Sequence, residues 1–327
     1  MKILVLTASE VRQAIHMKIA IDVMKTAFKD FSMDNSQAPL RSKISADQSN
    51  GTELLMPAIT NSDLAIKIVS VFDNNQHLSL PLIHAMIIVL DVSTGKPLAL
   101  LEGASITAIR TGAASGAATD VLARNDAKSV AIIGSGVQAQ TQIEAVCTVR
   151  TIEKVWVYSP NTEHAEIFAS KMSGRKPIPD DLCVVRSPME AIQDADIICT
   201  ATTSNTPVFD GNYIKKGAHI NAIGSFTPKM QEVDPVTISK SLVVVDSRQS
   251  VLEEAGDLII PIEANIVQKD HIHAELGEII SNKLLGRTDK DQITYFKSCG
   301  VAVQDVAAAQ LAVQEAKRLG LGTVISL

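Results

Sequence analysis

Apolar residues follow two different periods in the first third of the chain. Thr7 and Glu10 form a T-x-x-E capping box, and apolar residues then recur at helical spacing over residues 20–31, which predicts a helical start. The run LAIKIVSVF at 64–72 is apolar on both faces of a strand. Lys67 in that run is therefore predicted to be buried.

Turn signals divide the β-rich region that follows the first helices. Asn50-Gly51 predicts a hairpin between residues 41–46 and 52–56. The run STGKP predicts a second hairpin, between 86–91 and 98–102. A helix rich in small residues is expected at 106–122, with Ser105 as its N-cap.

From Ser129 onward, strand and helix patterns alternate. We predict strands at 130–134, 154–158, 182–185, 196–200, 218–222 and 242–246, and helices at 137–149, 161–173, 188–193 and 234–240. This order is typical of an α/β, doubly wound parallel sheet with helices on both faces. A final Ala-rich helix at 303–319 is expected to return the C-terminus to the first domain. The predicted domains are thus 1–120 plus 305–327, and 121–304.

The run IIGSGVQAQ follows the first of these strands and opens a helix, which is the context in which a glycine-rich loop indicates a dinucleotide site. Gly134 permits the tight turn, and Gly136 lets the backbone approach a pyrophosphate on the helix N-terminus. Ala139 stands at the third glycine position and still permits close packing of helix and strand.

The end of the next strand indicates which nicotinamide cofactor is used. An acid there binds the ribose 2′-hydroxyl of NAD, but this chain has Ser159, followed by Asn161 two residues later. The missing carboxylate removes a repulsion against a 2′-phosphate, although no arginine is present to pair with one. NADPH is modestly favoured over NADH, and use of both is left open.

Four charged residues of the first domain are candidates for chemistry: Arg41, Glu53, Lys67 and Arg110. Arg41 and Glu53, each taken alone, fit solvated loop or hairpin positions. Lys67 and Arg110 lie among apolar or small residues, where a buried cation needs an anionic partner. Converging cations in an apolar pocket suggest a carboxylate-bearing ligand.

Composition excludes several classes of protein. A net charge of −6 does not favour nucleic-acid binding, and no apolar run reaches the roughly 18 residues of a membrane helix. The start MKILVLTASE does not have the pattern of a signal peptide. The four cysteines lie in apolar segments without CxxC spacing, so reduced core thiols in the cytoplasm are expected. His271 and His273 lack a third ligand at suitable spacing, so we expect no metal site.

Six motifs spread over the chain together resemble the ornithine cyclodeaminase/mu-crystallin family. They are ITAIRTGAA (106–114), IIGSGVQAQ (132–140), HINAIGSFTPKMQEVD (219–234), VVVDSRQSVLEEAGDL (243–258), AELGEI (274–279) and FKSCGVAVQDVAAA (296–309). The resemblance implies a Rossmann domain inserted into an α+β domain that binds substrate and dimerises. It also implies hydride transfer between a nicotinamide and a C=N bond beside a carboxylate.

The resemblance assigns roles by position. Arg41, Lys67 and Arg110 match residues that hold the substrate carboxylate, and Glu53 matches a pocket acid. The expected cofactor contacts are Thr111, Gly134, Gly136, Val137, Gln138, Ala139, Ser159, Asn161, Thr200, Ala201, Thr202, Gly224 and Ser225.

One position departs from the cyclodeaminase pattern. Phe226 occupies the place where cyclodeaminases carry an aspartate that handles the substrate amine, and phenylalanine can neither accept a proton nor pair with an ammonium. We therefore expect an NAD(P)H-dependent reductase of a cyclic ketimine such as Δ1-pyrroline-2-carboxylate, which gives L-proline, with Phe226 as a pocket wall. Ornithine cyclodeaminase, alanine dehydrogenase, an opine-type reductase and a low-turnover cofactor-bound binding protein are the alternatives. The family also implies a homodimer.

Overall fold

The computed structural model describes residues 1–327, except for the side chain of Gln76. The elements up to the first long buried helix are β1 (Lys2–Leu6), α1 (Ala8–Ala14), α2 (Met17–Ser32), β2 (Ser36–Gln37), β3 (Ser42–Ala46), β4 (Gly51–Thr60), β5 (Leu64–Phe72), β6 (Ile83–Leu90), β7 (Pro97–Glu102) and α3 (Gly103–Leu122). The middle elements are β8 (Ser129–Ile133), α4 (Val137–Val149), β9 (Lys154–Tyr158), α5 (Thr162–Met172), β10 (Leu182–Val184), α6 (Pro188–Ile192), β11 (Ile197–Thr200), β12 (His219–Ala222), α7 (Pro235–Lys240), β13 (Ser241–Val245), α8 (Arg248–Glu254), α9 (Gly256–Glu263), β14 (Ile272–Glu275), α10 (Leu276–Ile280) and β15 (Ile293–Lys297). The last two are α11 (Ala302–Leu319) and β16 (Thr323–Ser326).

The chain forms two compact units, which we call the outer-chain unit (Met1–Arg110 with Val301–Leu327) and the middle unit (Thr111–Gly300). α3 is one continuous helix that contributes its first residues to the outer-chain unit and the rest to the middle unit. Both boundaries fall earlier in the chain than the expected positions after residues 120 and 304.

The outer-chain unit contains a mixed sheet in the order β16-β1-β7-β6-β5-β4-β2, with β3 paired to β4. Both predicted hairpins are present, as β3–β4 and β6–β7. β1 was not predicted as a strand, although its apolar residues pair in parallel with β7 and antiparallel with β16. The helix α11 packs on β4, β5 and β6 and against α2, so one sheet face is covered.

The N-termini of α1 and α3 differ in how well the sequence predicted them. The Thr7–Glu10 capping box is present at the start of α1. The predicted N-cap Ser105 is wrong, because α3 already begins at Gly103 and Glu102 accepts hydrogen bonds from the amides of Ala104 and Ser105 at 2.8 and 3.0 Å. A negative charge beside these free helix-terminal amides also interacts favourably with the helix dipole.

The middle unit is α/β, with eight parallel strands in the order β10-β9-β8-β11-β12-β15-β13-β14. Two apolar cores lie on its faces, as expected for a parallel sheet covered by helices. The strand order reverses between β8 and β11, which is where ligands bind in such sheets. The sequence did not predict β14 or β15, so the sheet is wider than expected.

Candidate active site

A buried ion cluster lies under the helix-covered face of the first sheet. Lys67 on β5 and Arg110 on α3 both contact Asp305 on α11, at 2.6 Å from Lys67 Nζ to Oδ2 and 3.2 Å from Arg110 Nε to Oδ1. All three residues are at least 94% buried. The contacts are at ion-pair distance, but neither Asp305 oxygen lies in good hydrogen-bond geometry. The cluster contains two cations and one carboxylate, so it keeps a net positive charge and can bind a further anion.

Burial and neighbouring charge act together on Lys67. Desolvation is the largest cause that lowers its pKa, Asp305 raises the pKa, and the charges of Arg110 and Arg41 lower it, so that the net pKa falls from 10.5 to about 8. Arg110 is itself held by Gln304, whose Oε1 accepts from Nη1 at 3.1 Å and from the Val301 amide. Lys67 is therefore mostly protonated at neutral pH, but it loses its proton at a lower pH than an ordinary lysine does.

Arg41 and Glu53 have different relations to this cluster. Arg41 is half-buried in the segment before β3, close enough for its charge to act on Lys67. Glu53 is on β4 opposite Ser70, which donates to it at 2.6 Å, whereas Lys67 is opposite Met56. Residues 53 and 56 point to opposite sheet faces, because side chains alternate along a strand. Glu53 and Lys67 therefore lie on opposite faces of the sheet, and the role of Glu53 as a pocket acid stays a prediction.

The glycine loop joins β8 to α4 in the middle unit, at the reversal of strand order. Gly134 has φ +107°, and a Cβ there would lie 2.5 Å from the Ala201 carbonyl oxygen, so a side chain is excluded. Gly136 is the N-cap of α4 and is exposed, and a Cβ there would meet nothing within 4 Å. No side chain caps the first amides of α4 in the described structure. These open amides fit a pyrophosphate.

The start of α4 packs closely against the middle-unit part of α3. Ala139 is fully buried, and Val137 is 66% exposed. Gln142 donates to the Thr111 carbonyl at 3.3 Å. Gln138 is half-buried and follows Val137 in the first turn of α4. Small and buried residues thus hold this helix while its first turn stays open.

Ser159 and Asn161 lie beyond the end of β9. Ser159 is half-buried, so a hydroxyl, not a carboxylate, stands at the ribose-binding position. The side chain of Asn161 caps α5 by accepting from the His164 amide at 3.1 Å. Its oxygen therefore stabilises the helix, and its amide NH₂ is the part that remains for a ligand.

The loops after β11 and β12 are joined by one carboxylate that the sequence did not single out. Glu232 is fully buried and accepts from Thr200 Oγ1 at 2.9 Å and from the amides of Thr202, Gly224 and Ser225 at 2.6, 2.6 and 3.2 Å. The Ser225 hydroxyl donates to the Met230 carbonyl at 2.7 Å. The side chains of Thr200 and Ser225 are completely buried, which corrects their predicted direct contact with a cofactor.

Three further residues complete the comparison with the predictions. Ala201 and Thr202 are half-buried, as is Phe226, which follows the Gly224–Ser225 loop. Phe226 therefore has an apolar surface at the position of the missing aspartate.

Cysteine and histidine positions differ in part from expectation. Cys147, Cys199 and Cys299 are buried, but Cys183 is exposed and its Sγ lies 3.2 Å from Asp181 Oδ1, so it is not a core residue. His271 and His273 each contact a backbone carbonyl through Nε2, at 2.8 Å.

The donor set of the middle unit fits a dinucleotide. It combines uncapped helix amides, a side-chain-free glycine surface and loops at the carboxyl ends of the strands beside the reversal point. A family model described as the ornithine cyclodeaminase/mu-crystallin family matches residues 1–319. The chain belongs to the ornithine cyclodeaminase/mu-crystallin family.

Relatives and solved structures of this family match over nearly their full length. A Delta(1)-pyrroline-2-carboxylate reductase of Bacillus cereus is 41% identical over 325 residues, covering 98% of this chain and 99% of the relative. The Thermococcus litoralis Delta(1)-pyrroline-2-carboxylate reductase, solved in complex with NADH and L-proline, is 43% identical with a TM-score of 0.94, covering 98% and 99%. An archaeal alanine dehydrogenase dimer with bound NAD is 31% identical with a TM-score of 0.94, covering 100% of both chains.

Two residues that organise the site, Asp305 and Glu232, were not predicted from the sequence. Both lie inside family motifs, but each was taken as part of a pattern and not as a charge that needs a partner. A buried carboxylate among apolar or small residues, as in VAVQDVAAA, is the signal that could have identified Asp305.

Among the residues that the structure describes, no helix combines the length and the apolar character that crossing a membrane requires.

Proposed function

We propose that this protein is an NAD(P)H-dependent reductase of cyclic ketimine carboxylates, and that it converts Δ1-pyrroline-2-carboxylate to L-proline. The observation that carries the proposal is the full-length likeness, at 43% identity, to a reductase solved with NADH and L-proline. The buried cations of the outer-chain unit and the glycine loop of the middle unit supply the two binding functions that this reaction needs.

The cations hold the substrate carboxylate. Lys67 and Arg110 share one internal anion, Asp305, so together they retain one positive charge, and the charge of Arg41 acts on Lys67 as well. A ligand carboxylate neutralises this excess in a buried setting, where charge-assisted hydrogen bonds are strong. This fixes the orientation of the neighbouring C=N bond.

A nicotinamide cofactor, when bound, supplies a hydride to the imine carbon. The imine, the reduced cofactor and one proton give the amine and the oxidised cofactor. The ammonium of Lys67 both attracts the carboxylate and can release a proton to the imine nitrogen, since its pKa is about 8. Phe226 has no group that could deprotonate an amine, which favours reduction of a preformed imine.

Use of both reduced nicotinamides fits the Ser159 position, with NADPH modestly favoured. A serine there neither repels a 2′-phosphate nor provides the bidentate acceptor that selects NADH. Competition between the two cofactors at equal concentration measures the preference.

The second face of the outer-chain sheet supports a homodimer. Leu55, Ile66, Ile68 and Ile88 on this face are only half-buried, and Met86 is 51% exposed. Apolar patches of this kind mark protein interfaces. A second copy of this chain is the proposed partner, as in the alanine dehydrogenase dimer. Ile68→Glu should convert the dimer to monomer in analytical ultracentrifugation, and an unchanged sedimentation coefficient would contradict this interface.

The cytoplasm is the proposed compartment. The four cysteines form no disulfide in the described structure, as expected where the surroundings are reducing.

The test of the reaction compares two substrates. Oxidation of NADPH and NADH is followed with Δ1-pyrroline-2-carboxylate, and ammonia release from ornithine is measured without added cofactor. Imine-dependent oxidation with formation of proline supports the reductase. Ammonia and proline from ornithine, without imine reduction, would assign the protein as a cyclodeaminase.

A further inference from the structure

Two loops at the carboxyl edge of the middle-unit sheet depend on a single buried side chain. β11 and β12 are neighbouring parallel strands, so residues 201–202 and 224–225 leave the same edge of the sheet side by side. The Glu232 carboxylate lies between them, with Oε1 accepting from Thr202 and Oε2 from Thr200, Gly224 and Ser225. Glu232 therefore has four hydrogen-bond donors and, among the described residues, no cation within ion-pair distance. Its carboxylate joins the two loops, and we call this set of hydrogen bonds the clamp.

Residues 201–202, which Glu232 holds, pack closely against both neighbouring loops. A Cβ at Gly224 would collide with the Thr202 carbonyl, and a Cβ at Gly134 would lie 2.5 Å from the Ala201 carbonyl. The loop after β11 therefore contacts both the loop after β8 and the loop after β12. A shift of residues 201–202 changes the surface on which a ligand lies at the strand reversal.

A second buried carboxylate fixes Glu232 itself. Asp257 accepts from the backbone amides of Glu232 and Val233 at 2.6 and 3.1 Å, and Lys297 donates to Asp257 at 2.9 Å. Lys297 and Asp257 are completely buried. Asp257 thus fixes the backbone of Glu232, and the loop residues fix its carboxylate.

We propose that Glu232 is a positioning residue for the nicotinamide half of the cofactor, which it serves by fixing residues 201–202 against residues 224–225. This inference rests on the proposed function, because it assumes that a nicotinamide dinucleotide occupies the middle unit. The pyrophosphate end depends on the glycine loop and α4, where Glu232 makes no hydrogen bond. The two halves of the cofactor should therefore respond differently to loss of the clamp.

The test compares NADH with ADP-ribose, which lacks the nicotinamide, in calorimetric binding to Glu232→Gln. Glutamine replaces one acceptor oxygen by an NH₂ group, so either Thr202 N–H or the Gly224 and Ser225 N–H groups face another donor. We expect NADH to bind about tenfold more weakly or worse, with a raised KM for NADH, because at least one buried backbone N–H group then loses its acceptor. ADP-ribose should bind as in the wild type. Glu253→Gln on the exposed face of α8 is the matched control.

Hydrogen exchange gives a second measurement of the same clamp. The amides of Thr202, Gly224 and Ser225 should exchange faster in Glu232→Gln, while amides of α4 keep their protection. Thr200→Val removes one donor to Glu232 and nearly preserves shape, so it carries both measurements if Glu232→Gln fails to fold. A smaller selective loss of NADH affinity is expected for this variant.

The outcomes separate the two proposals. Equal weakening of NADH and ADP-ribose, or unchanged binding of both, would overturn the positioning role even if the wild type reduces the imine. A selective loss of NADH affinity supports the role even if the wild type turns over another substrate. Failure of the wild type to bind NADH would overturn the proposed function and this inference together.

Discussion

Replacing Asp305 with asparagine tests how the buried charges control Lys67. Asparagine keeps the shape of the side chain but removes the carboxylate that lies 2.6 Å from Lys67 Nζ. The charged groups that face Lys67 are Asp305 from α11, Arg110 from α3 and Arg41 from the segment before β3. Asp305 raises the pKa of Lys67, whereas desolvation and both arginines lower it. The pKa must therefore fall below about 8 in Asp305→Asn.

The size of the fall follows from the burial of the pair. Removing one partner of a buried ion pair costs about 3–5 kcal/mol. If only a third of this free energy stabilises charged Lys67 relative to neutral Lys67, its loss lowers the pKa of Lys67 by about one unit. One pKa unit corresponds to about 1.4 kcal/mol. Lysine is charged below its pKa, so activity that needs the ammonium declines as pH rises through that value. The decline should begin at a more acidic pH in the variant.

The assay is the pH dependence of kcat/KM for Δ1-pyrroline-2-carboxylate at saturating cofactor, which reports groups in the form of the enzyme that binds the imine. The wild type should lose activity as pH rises through about 8. The Asp305→Asn limb should lie at least about one pH unit lower. Asp22→Asn, an exposed carboxylate on α2, is the control and should not move the limb. Coincident alkaline limbs in folded wild type and Asp305→Asn would refute the reasoning.

Three further predictions test separate parts of the structure. Arg110→Ala should lower imine turnover by about tenfold to a hundredfold while NADPH binding is retained, because one cation of the carboxylate site is lost; equal loss of cofactor affinity in a titration would contradict this. Gly136→Val should leave the melting temperature unchanged, since a Cβ there contacts nothing within 4 Å, but should weaken cofactor binding about tenfold, whereas Gly134→Val should destabilise the fold by about 1–3 kcal/mol. Lys297→Met should lower the free energy of unfolding in urea by about 3–5 kcal/mol, because Asp257 then loses its buried cation; a loss below about 1 kcal/mol would show that the pair is dispensable.

Periodicity along the chain determined most of the local structure. The Thr7–Glu10 capping box, both hairpins and the alternating strands and helices from β8 to β13 follow from contacts between residues close in sequence. Strand alternation also explains why Glu53 and Lys67 lie on opposite faces of the sheet. The glycine loop was recognisable because strand, turn and helix are consecutive.

Partners that are far apart in sequence were decided only by the tertiary structure. Asp305 contacts Lys67 and Arg110 because α11 packs on strands that lie roughly 200 residues earlier in the chain. Neither the position of Asp305 nor its charge identifies these partners from the local sequence. Glu232 reaches two loops only after β11 and β12 have paired. β14 and β15 are similarly defined by neighbours in the sheet, since their short runs, such as ITYFK, contain polar residues that burial with a partner makes acceptable. The sequence by itself therefore determined the elements and the kind of chemistry, and the folded chain decided which charges meet.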